Sequence, residues 1–199
     1  CIGLTGDFRE RPYDTVNAHV TLLQDVLRRA RFDSLLYLSS ARVYQGAAAG
    51  GEEADLTVNP NEPGDLYNLS KLMGESLCLA VGRPNVRIAR LSNVYGAGMS
   101  KHSFLGTVIR DAAERKSVKF ETTLDTARDF VSIEDVAPLL RQIAVNGGHR
   151  LYNLASGKNV SNRELATALT RMTACQVEVS PYAREPVFPP IAIDRVRAQ

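Results

Sequence analysis

The sequence predicts an α/β protein built on a doubly wound parallel sheet. Short, continuous apolar runs alternate along the chain with longer segments whose apolar residues recur at helical spacing. Such alternation is typical of a parallel sheet with helices on both faces. The 199 residues, 44% of them hydrophobic and 23% charged, are enough to bury a core and exclude a disordered or disulfide-scaffold chain.

The individual elements follow from periodicity and from turn residues. Residues 13–30 repeat apolar side chains every three to four positions after Pro12, which predicts an amphipathic helix. The run 35–38, which ends in Ser39 and Ser40, is typical of a strand buried on both faces. The later predicted elements are a loop from Gln45 to about Gly64, helices at 66–81, 104–115, 133–144 and 162–172, strands at 86–91, 118–120 and 151–154, and a turn at 93–98.

Charge and cysteine content exclude several functional classes. The 24 Lys and Arg residues against 22 Asp and Glu residues give a net charge of +2, and they are scattered, so no nucleic-acid surface is indicated. The three cysteines are far apart and form no C-x-x-C pair, which argues against zinc and disulfides and favours the cytoplasm. Because no apolar run approaches about 18 residues, no membrane partner is expected either.

A tyrosine and a lysine lie one helical turn apart at the start of the predicted 66–81 helix. Tyr67 and Lys71 project from the same face, and an ammonium beside a phenol lowers the pKa of the phenol. Ser40 ends a buried strand, and ligands of open α/β sheets bind at the carboxyl ends of strands. These three residues are candidates for acid/base chemistry, although a Tyr and a Lys at this spacing also occur on many solvated helices.

Five ordered motifs resemble the extended short-chain dehydrogenase/reductases, the NAD-dependent nucleotide-sugar epimerase/dehydratase family. They are YLSSARVY at 37–44, YNLSK at 67–71, RLSNVYG at 90–96, ARDFV at 127–131 and LYNLASG at 151–157. The resemblance implies a Rossmann-like doubly wound parallel sheet, NAD or NADP as cofactor, and a nucleotide-sugar substrate.

The resemblance also implies a catalytic relay. Tyr67 would be the acid/base, Lys71 would hold the nicotinamide ribose and lower the phenol pKa, and Ser40 would polarise the substrate hydroxyl or carbonyl. The nicotinamide would exchange a hydride with the sugar while the protein supplies alignment and charge.

Further positions are implied to bind cofactor or substrate. Beside Tyr67 and Lys71, the cofactor-binding positions would be Leu4, Gly6 and Ser39. Beside Ser40, the substrate-binding positions would be Tyr44, Asn93 and Arg128, with Arg128 on the diphosphate, for which a guanidinium fork is well suited. Two alternatives stay open: Asn93 capping local backbone in a turn, and Arg128 forming an ion pair with Asp129.

The chain departs from the family pattern at its start. The glycine-rich fingerprint that binds the cofactor pyrophosphate is absent, and 1–6 read as the end of a buried strand with nothing to pair with. We therefore expect a fragment of a longer chain, with roughly 60 residues, two βαβ units of about 30 each, ahead of Cys1. Gln45 replaces a glycine that is usual after the Val-Tyr pair, which alters the loop but not the relay.

The residues after Ser40 bear on the reaction. The family's dehydratases carry an Asp-Glu pair there, whereas this sequence has Ala41 and Arg42. Without those carboxylates an elimination lacks its acid and base, which favours a 4-epimerase or a 4-keto reductase. The histidines, His19, His102 and His149, fit structural or exposed positions, and no metal-ligand spacing occurs.

The predicted organisation has two parts and a dimer. Residues 1–97 and 128–157 would form the dinucleotide-binding domain, and 98–127 with 158–199 a small sugar-nucleotide-binding lobe. A homodimer is expected through the helices at 13–30 and 66–81. The alternative function is an inactive family member that serves as a dinucleotide-binding sensor or scaffold, because a fold alone does not establish activity.

Overall fold

A parallel three-stranded sheet forms the centre of the computed structural model, which describes residues 8–199. Strand β1 (Leu35–Ser40) pairs in parallel with β2 (Val86–Leu91), and β2 pairs in parallel with β6 (Leu151–Leu154). These strands coincide with the strands predicted at 35–38, 86–91 and 151–154. Their carboxyl ends therefore meet at one edge, where Ser40 and Leu91 are register partners.

Helices cover both faces of this sheet, as the alternation predicted. On one side lie α1 (Pro12–Val16), a π-helical segment (Asn17–Thr21), α2 (Leu22–Arg29) and α3 (Asp65–Ala80). They bury an apolar cluster against β1, β2 and β6 whose members are Leu23, Leu27, Tyr37, Cys78, Val86, Ile88 and Leu151. On the other side α5 (Ile133–Asn146) and α7 (Asp194–Arg197) enclose Val136, Ile143, Tyr152, Leu154 and Val196.

A second sheet lies beside the first, and its three short strands were not predicted from the sequence. Short β3 (Asn93–Tyr95) pairs in parallel with β5 (Ala127–Ser132), and β5 pairs antiparallel with β7 (Asn159–Ser161). The prediction of a turn at 93–98 is corrected here, since three of those residues are in a strand. A three-residue strand carries too little periodicity to be read from sequence.

The remaining elements pack around a separate apolar cluster. Helix α4 (Phe104–Arg110) continues through a π-helical segment (Asp111–Arg115), and β4 (Ser117–Thr122) pairs in parallel with β8 (Gln176–Arg184). With α6 (Asn162–Thr173) they enclose Val108, Ala112, Val118, Phe120, Ala166, Leu169 and Cys175.

The last described helix lies on the central sheet. Arg195 of α7 donates a hydrogen bond of 3.2 Å from Nη1 to the Leu151 carbonyl of β6. Sequence alone assigned this segment to the small lobe, whereas the apolar Ile193 and Val196 pack with α5 and β6. Within residues 8–199, no helix combines the length and the apolar character needed to cross a membrane.

Candidate active site

A cavity of about 520 Å³ opens at the carboxyl ends of β1 and β2. Its walls come from the ends of those strands, the first turn of α3, strand β5 and the segment 186–191. The volume is in the range of small-molecule sites, and its position is where open α/β sheets bind ligands. Ser40, Tyr44, Tyr67, Asn93 and Arg128, all predicted site residues, line it.

Ser40 and Tyr67 meet at this cavity because β1 ends where α3 begins. Ser40 is the last residue of β1 and caps the 3₁₀ turn Ala41–Tyr44, accepting a 3.2 Å hydrogen bond from the Arg42 amide. Burial raises the pKa of the Tyr67 phenol, while a hydrogen-bonding interaction with the Ser40 side chain and the charge of Arg42 act to lower it. The two side chains can thus share one reacting oxygen.

Lys71 stands behind Tyr67 and does not line the cavity. Its Nζ donates a 3.0 Å hydrogen bond to the Leu38 carbonyl and is 5.7 Å from the Tyr67 ring centroid. Burial lowers the pKa of Lys71 to about 8, against an opposing effect of Glu75. We expected Lys71 to depress the phenol pKa; in the structure burial dominates at both groups, and the cation that lowers the phenol pKa is Arg42.

Arg128 faces the cavity between two aromatic rings. Its guanidinium carbon is 4.8 Å from the Phe104 ring centroid and 5.7 Å from that of Phe188. Burial, followed by the charge of Arg42, lowers the pKa of Arg128. The two rings therefore hold the guanidinium in place at the cavity wall, where it could meet an anion.

The alternative of an ion pair between Arg128 and Asp129 does not fit. The Asp129 carboxylate accepts hydrogen bonds from the Ser156 amide at 2.9 Å, the Ser156 hydroxyl at 2.8 Å and the Lys158 amide at 3.0 Å. Those donors fix Asp129 on the loop after β6, so its charge is used there and Arg128 is left facing the cavity.

Asn93 and Tyr44 line the cavity but are also bonded within the fold. Asn93 donates from Nδ2 to the Asp129 carbonyl at 2.8 Å, which joins β3 to β5. The Tyr44 hydroxyl donates to Asn153 Oδ1 at 2.9 Å and accepts from Arg90 Nη1 at 2.7 Å. The Tyr44 hydroxyl is therefore committed within the fold, and the whole side chain is buried, so a direct substrate contact through it does not fit this position.

Ser39 lies away from the cavity, on the opposite side of β1 from Ser40. Its hydroxyl donates to Glu75 Oε1 at 2.5 Å, inside the buried contact between α3 and β2. A cofactor contact through the Ser39 side chain does not fit this position. The other two predicted cofactor contacts, Leu4 and Gly6, lie outside the described residues.

Unpartnered polar atoms gather around the cavity. Buried side-chain nitrogen and oxygen atoms normally find a hydrogen-bond partner. Among residues 8–199, five lack one, and four of the five belong to cavity-lining residues: Arg42 Nε, Ser92 Oγ, Arg128 Nη1 and Asn159 Oδ1. Each of these atoms is itself buried, so the wall of the cavity carries polar groups that the fold leaves without a partner.

Several lining residues were missed by the sequence analysis. Phe104, Asn159, Arg184 and Phe188 reach the cavity from segments far along the chain. The only signal for the last segment is its proline-rich composition, which predicts a loop but not its destination. Arg42 was noted only for the carboxylate it replaces. In the part of the chain that the structure describes, no group of three His, Cys, Asp or Glu side chains could hold a metal ion.

The comparisons with solved structures give the fold. The chain resembles MoeE5 in complex with UDP-glucose and NAD (TM-score 0.83, 23% identity, 100% of this chain and 70% of that one). It also resembles UDP-glucuronic acid 4-epimerase from Bacillus cereus (TM-score 0.77, 19% identity, 99% of this chain and 66% of that one). A third similar structure is RMD from Pseudomonas aeruginosa complexed with NADPH (TM-score 0.74, 26% identity, 98% of this chain and 71% of that one). No curated protein matches the sequence. The class is therefore a Rossmann-like α/β fold with parallel sheets.

The family follows from a separate comparison. Residues 2–155 match the model of the NAD dependent epimerase/dehydratase family, and they make up well over half of the chain. The chain belongs to that family, as its five motifs indicated. The resemblance stated from sequence is confirmed.

Proposed function

We propose that this protein is an NAD(P)-dependent 4-epimerase or 4-keto reductase of a nucleotide-activated sugar. The observation that carries the proposal is the meeting of Ser40 and Tyr67 at a cavity that is also lined by Arg42 and Arg128. Relatives of this fold have been solved with UDP-glucose or UDP-glucuronic acid and with NAD or NADPH.

The residues divide the work between proton transfer and binding. Ser40 hydrogen-bonds the reacting sugar oxygen, and Tyr67 gives or takes the proton at that oxygen. Arg128 holds the diphosphate through its guanidinium fork. A nicotinamide cofactor, when bound, supplies and accepts the hydride.

The cofactor fits the residues at its nicotinamide end. The Tyr67 hydroxyl and the Lys71 ammonium are donors suited to ribose hydroxyls, and the unpartnered Ser92 Oγ adds a polar group at the same cavity. On cofactor binding, the Lys71 ammonium would either replace its hydrogen bond to the Leu38 carbonyl by one to the ribose or make both bonds at once.

An elimination is disfavoured by the carboxylates of the cavity. Among the described lining residues these are Glu62, Asp65 and Asp129, and each is already engaged. Glu62 pairs with Arg184 at 3.6 Å, and Asp65 accepts from the Asn59 amide at 2.8 Å. With Ala41 and Arg42 at the positions of the dehydratase pair, the described cavity lacks the two adjacent carboxylates that the family's dehydratases carry after the serine.

The proposal is tested with the intact protein, either cofactor and a panel of nucleotide-activated hexoses. Tyr67→Phe removes the hydroxyl and keeps the ring, so we expect turnover to fall by about 10²–10⁴-fold with folding intact. Tyr95→Phe is the matched control, because Tyr95 is 41% exposed on β3 and does not line the cavity. Wild-type turnover by Tyr67→Phe would remove Tyr67 from the mechanism.

The second candidate, a dinucleotide sensor or scaffold, gives a different result in the same assay. The wild-type protein would then bind NAD or NADP and form no product from any sugar in the panel. The proposed enzyme instead interconverts at least one sugar with its C4 epimer or reduces a 4-keto sugar.

A further inference from the structure

A buried histidine packs against the proposed acid/base. His19 is on the π-helical segment that follows α1, and it does not line the cavity. Its ring meets the Tyr67 ring edge-on, with 5.5 Å between the ring centroids and 85° between the planes. His19 therefore contacts Tyr67 from within the core and not from the side that a substrate would occupy.

Hydrogen bonding determines which ring nitrogen of His19 carries a proton. Nδ1 of His19 is 2.9 Å from the Ser70 hydroxyl, and that hydroxyl donates its one proton to the Tyr67 carbonyl at 2.8 Å. A hydroxyl that has donated its proton can only accept a further hydrogen bond, so Nδ1 is the donor to Ser70. The chain of hydrogen bonds therefore runs from His19 through Ser70 to the backbone of Tyr67.

The first turn of α3 depends on contacts of this kind. Gly64 precedes the helix and supplies no capping side chain, and Tyr67 is only the third residue of the helix. At Gly74, two turns further along, the helix and the π-helical segment approach so closely that a Cβ would lie 3.0 Å from the His19 carbonyl oxygen. The π-helical segment is thus packed against α3, and His19 joins the two at the level of Tyr67.

We propose that His19 is a positioning residue, which through Ser70 and its own ring contact holds the Tyr67 hydroxyl toward Ser40. The inference rests on the proposed function and adds to it a residue that touches neither sugar nor cofactor. Displacing a reacting group by about 1 Å can lower a rate by about 10²-fold, so a contact outside the cavity can control turnover.

Turnover of the intact protein with its cofactor and nucleotide sugar tests the proposal, with the folded fraction measured by circular dichroism. His19→Leu removes the Nδ1 donor, so we expect kcat per folded molecule to fall about 10–100-fold with KM unchanged. His19→Asn places an amide N–H near the position of Nδ1 and should restore most of the rate. Thr15→Val is the matched control, because Thr15 is buried one turn earlier and its hydroxyl donates to the Arg11 carbonyl at 2.9 Å, so it should keep the wild-type kcat.

A second comparison separates positioning from a structural role. In the Tyr67→Phe background, His19→Leu should cause no further loss of the residual turnover, because the hydroxyl that His19 positions is gone. A histidine that only fills core volume would lower turnover by the same factor in both backgrounds, and that result would overturn the inference. Ser70→Ala interrupts the same chain of hydrogen bonds and should give the same pattern, so it provides the readout if His19→Leu does not fold.

A spectroscopic measurement needs no turnover. In the nitrogen NMR spectrum of protein labelled at its histidines, the His19 signals are identified by their loss in His19→Asn, and Nδ1 should carry a proton. An unprotonated Nδ1 would overturn the inference whatever the activity. Absence of product from every nucleotide sugar would overturn the proposed function instead, while the protonation of Nδ1 would still report the bond to Ser70.

Discussion

Burial governs the protonation of the titratable side chains at the candidate site. Tyr67 is 7% exposed and Lys71 is 6% exposed. Burial disfavours the charged form of each, which raises the pKa of the phenol and lowers that of the ammonium. Because the ordinary pKa values of the two groups lie close together, at 10.0 and 10.5, these shifts move the values apart, and the phenol holds its proton more firmly than the ammonium does.

The lowered pKa of Lys71 predicts a pH-dependent stability. Between about pH 8 and 10.5 the folded protein has lost this proton while the unfolded chain still holds it, so stability rises with pH across that window. The free energy of unfolding of the wild type should therefore increase relative to that of Lys71→Met from pH 8 to 10.5. Urea titrations of both proteins at several pH values measure the difference, and a constant difference would contradict the assignment.

The site residues that sequence could predict are those that lie in short motifs. Ser40 and Tyr67 could be placed because a strand end and a helix start come together whenever the sheet forms. Arg42 could not, because its role depends on Tyr67 and Phe8 lying against its guanidinium. Ser39 was misplaced because neighbouring strand residues point to opposite faces, and only the packed structure shows which face holds Glu75.

At the scale of elements, a buried ion pair ties helix α3 to strand β2. Arg90 Nη2 is 2.7 Å from Glu75 Oε2, and both side chains are nearly inaccessible. Ser39 of β1 and Tyr44 of the following turn bond to the same pair. The network fixes α3, and therefore Tyr67 at its first turn, against the strand ends.

Removing one partner of this pair should be costly. Glu75→Gln leaves the Arg90 charge buried and unpaired, so we expect a loss of about 3–5 kcal/mol in the free energy of unfolding. Asp25→Asn is the control, because Asp25 and Arg29 form an exposed pair at 3.7 Å, and it should cost less than about 1 kcal/mol. Chemical denaturation measures both; similar small losses would mean that the network does not hold α3.

The elements that could be predicted from the sequence are those whose buried side chains repeat at a regular spacing along the chain. Strands β1, β2 and β6 are rich in apolar residues because both faces of the sheet are covered, and their few polar side chains, such as Arg90 and Asn153, are bonded within the fold. Strand β8 was missed because most of its side chains are exposed or half-buried, and β5 because it buries the polar Asp129. Tertiary pairing, which short-range patterns do not encode, determines those strands.

At the scale of the whole molecule, the helical face of α1 to α3 remains open. Tyr13 is 89% exposed and Met73 is 53% exposed, on helices that pack against each other. Exposed apolar side chains such as these are available for contact with a partner. The homodimer through these helices therefore stays a prediction.

The dimer is tested by light scattering of the intact protein. Wild type should give twice the protomer mass, and Met73→Glu should shift the equilibrium toward the protomer because it introduces a charge into the apolar face. Met172→Glu is the matched control, since Met172 is 77% exposed on α6, outside the two helices. A protomer mass for the wild type would contradict the dimer.

The cavity is closed by the segment 186–191, which the ribosome makes near the end of this sequence. Pro186, Phe188 and Ile191 close a site whose Ser40 and Tyr67 belong to the first half of the chain, and Ile191 is bridged to Gly50. A ribosome releases the chain from the amino end, and early segments can pack while later ones are still unmade. The nascent chain can thus bring Ser40 and Tyr67 together well before the segment 186–191 is available to close the cavity.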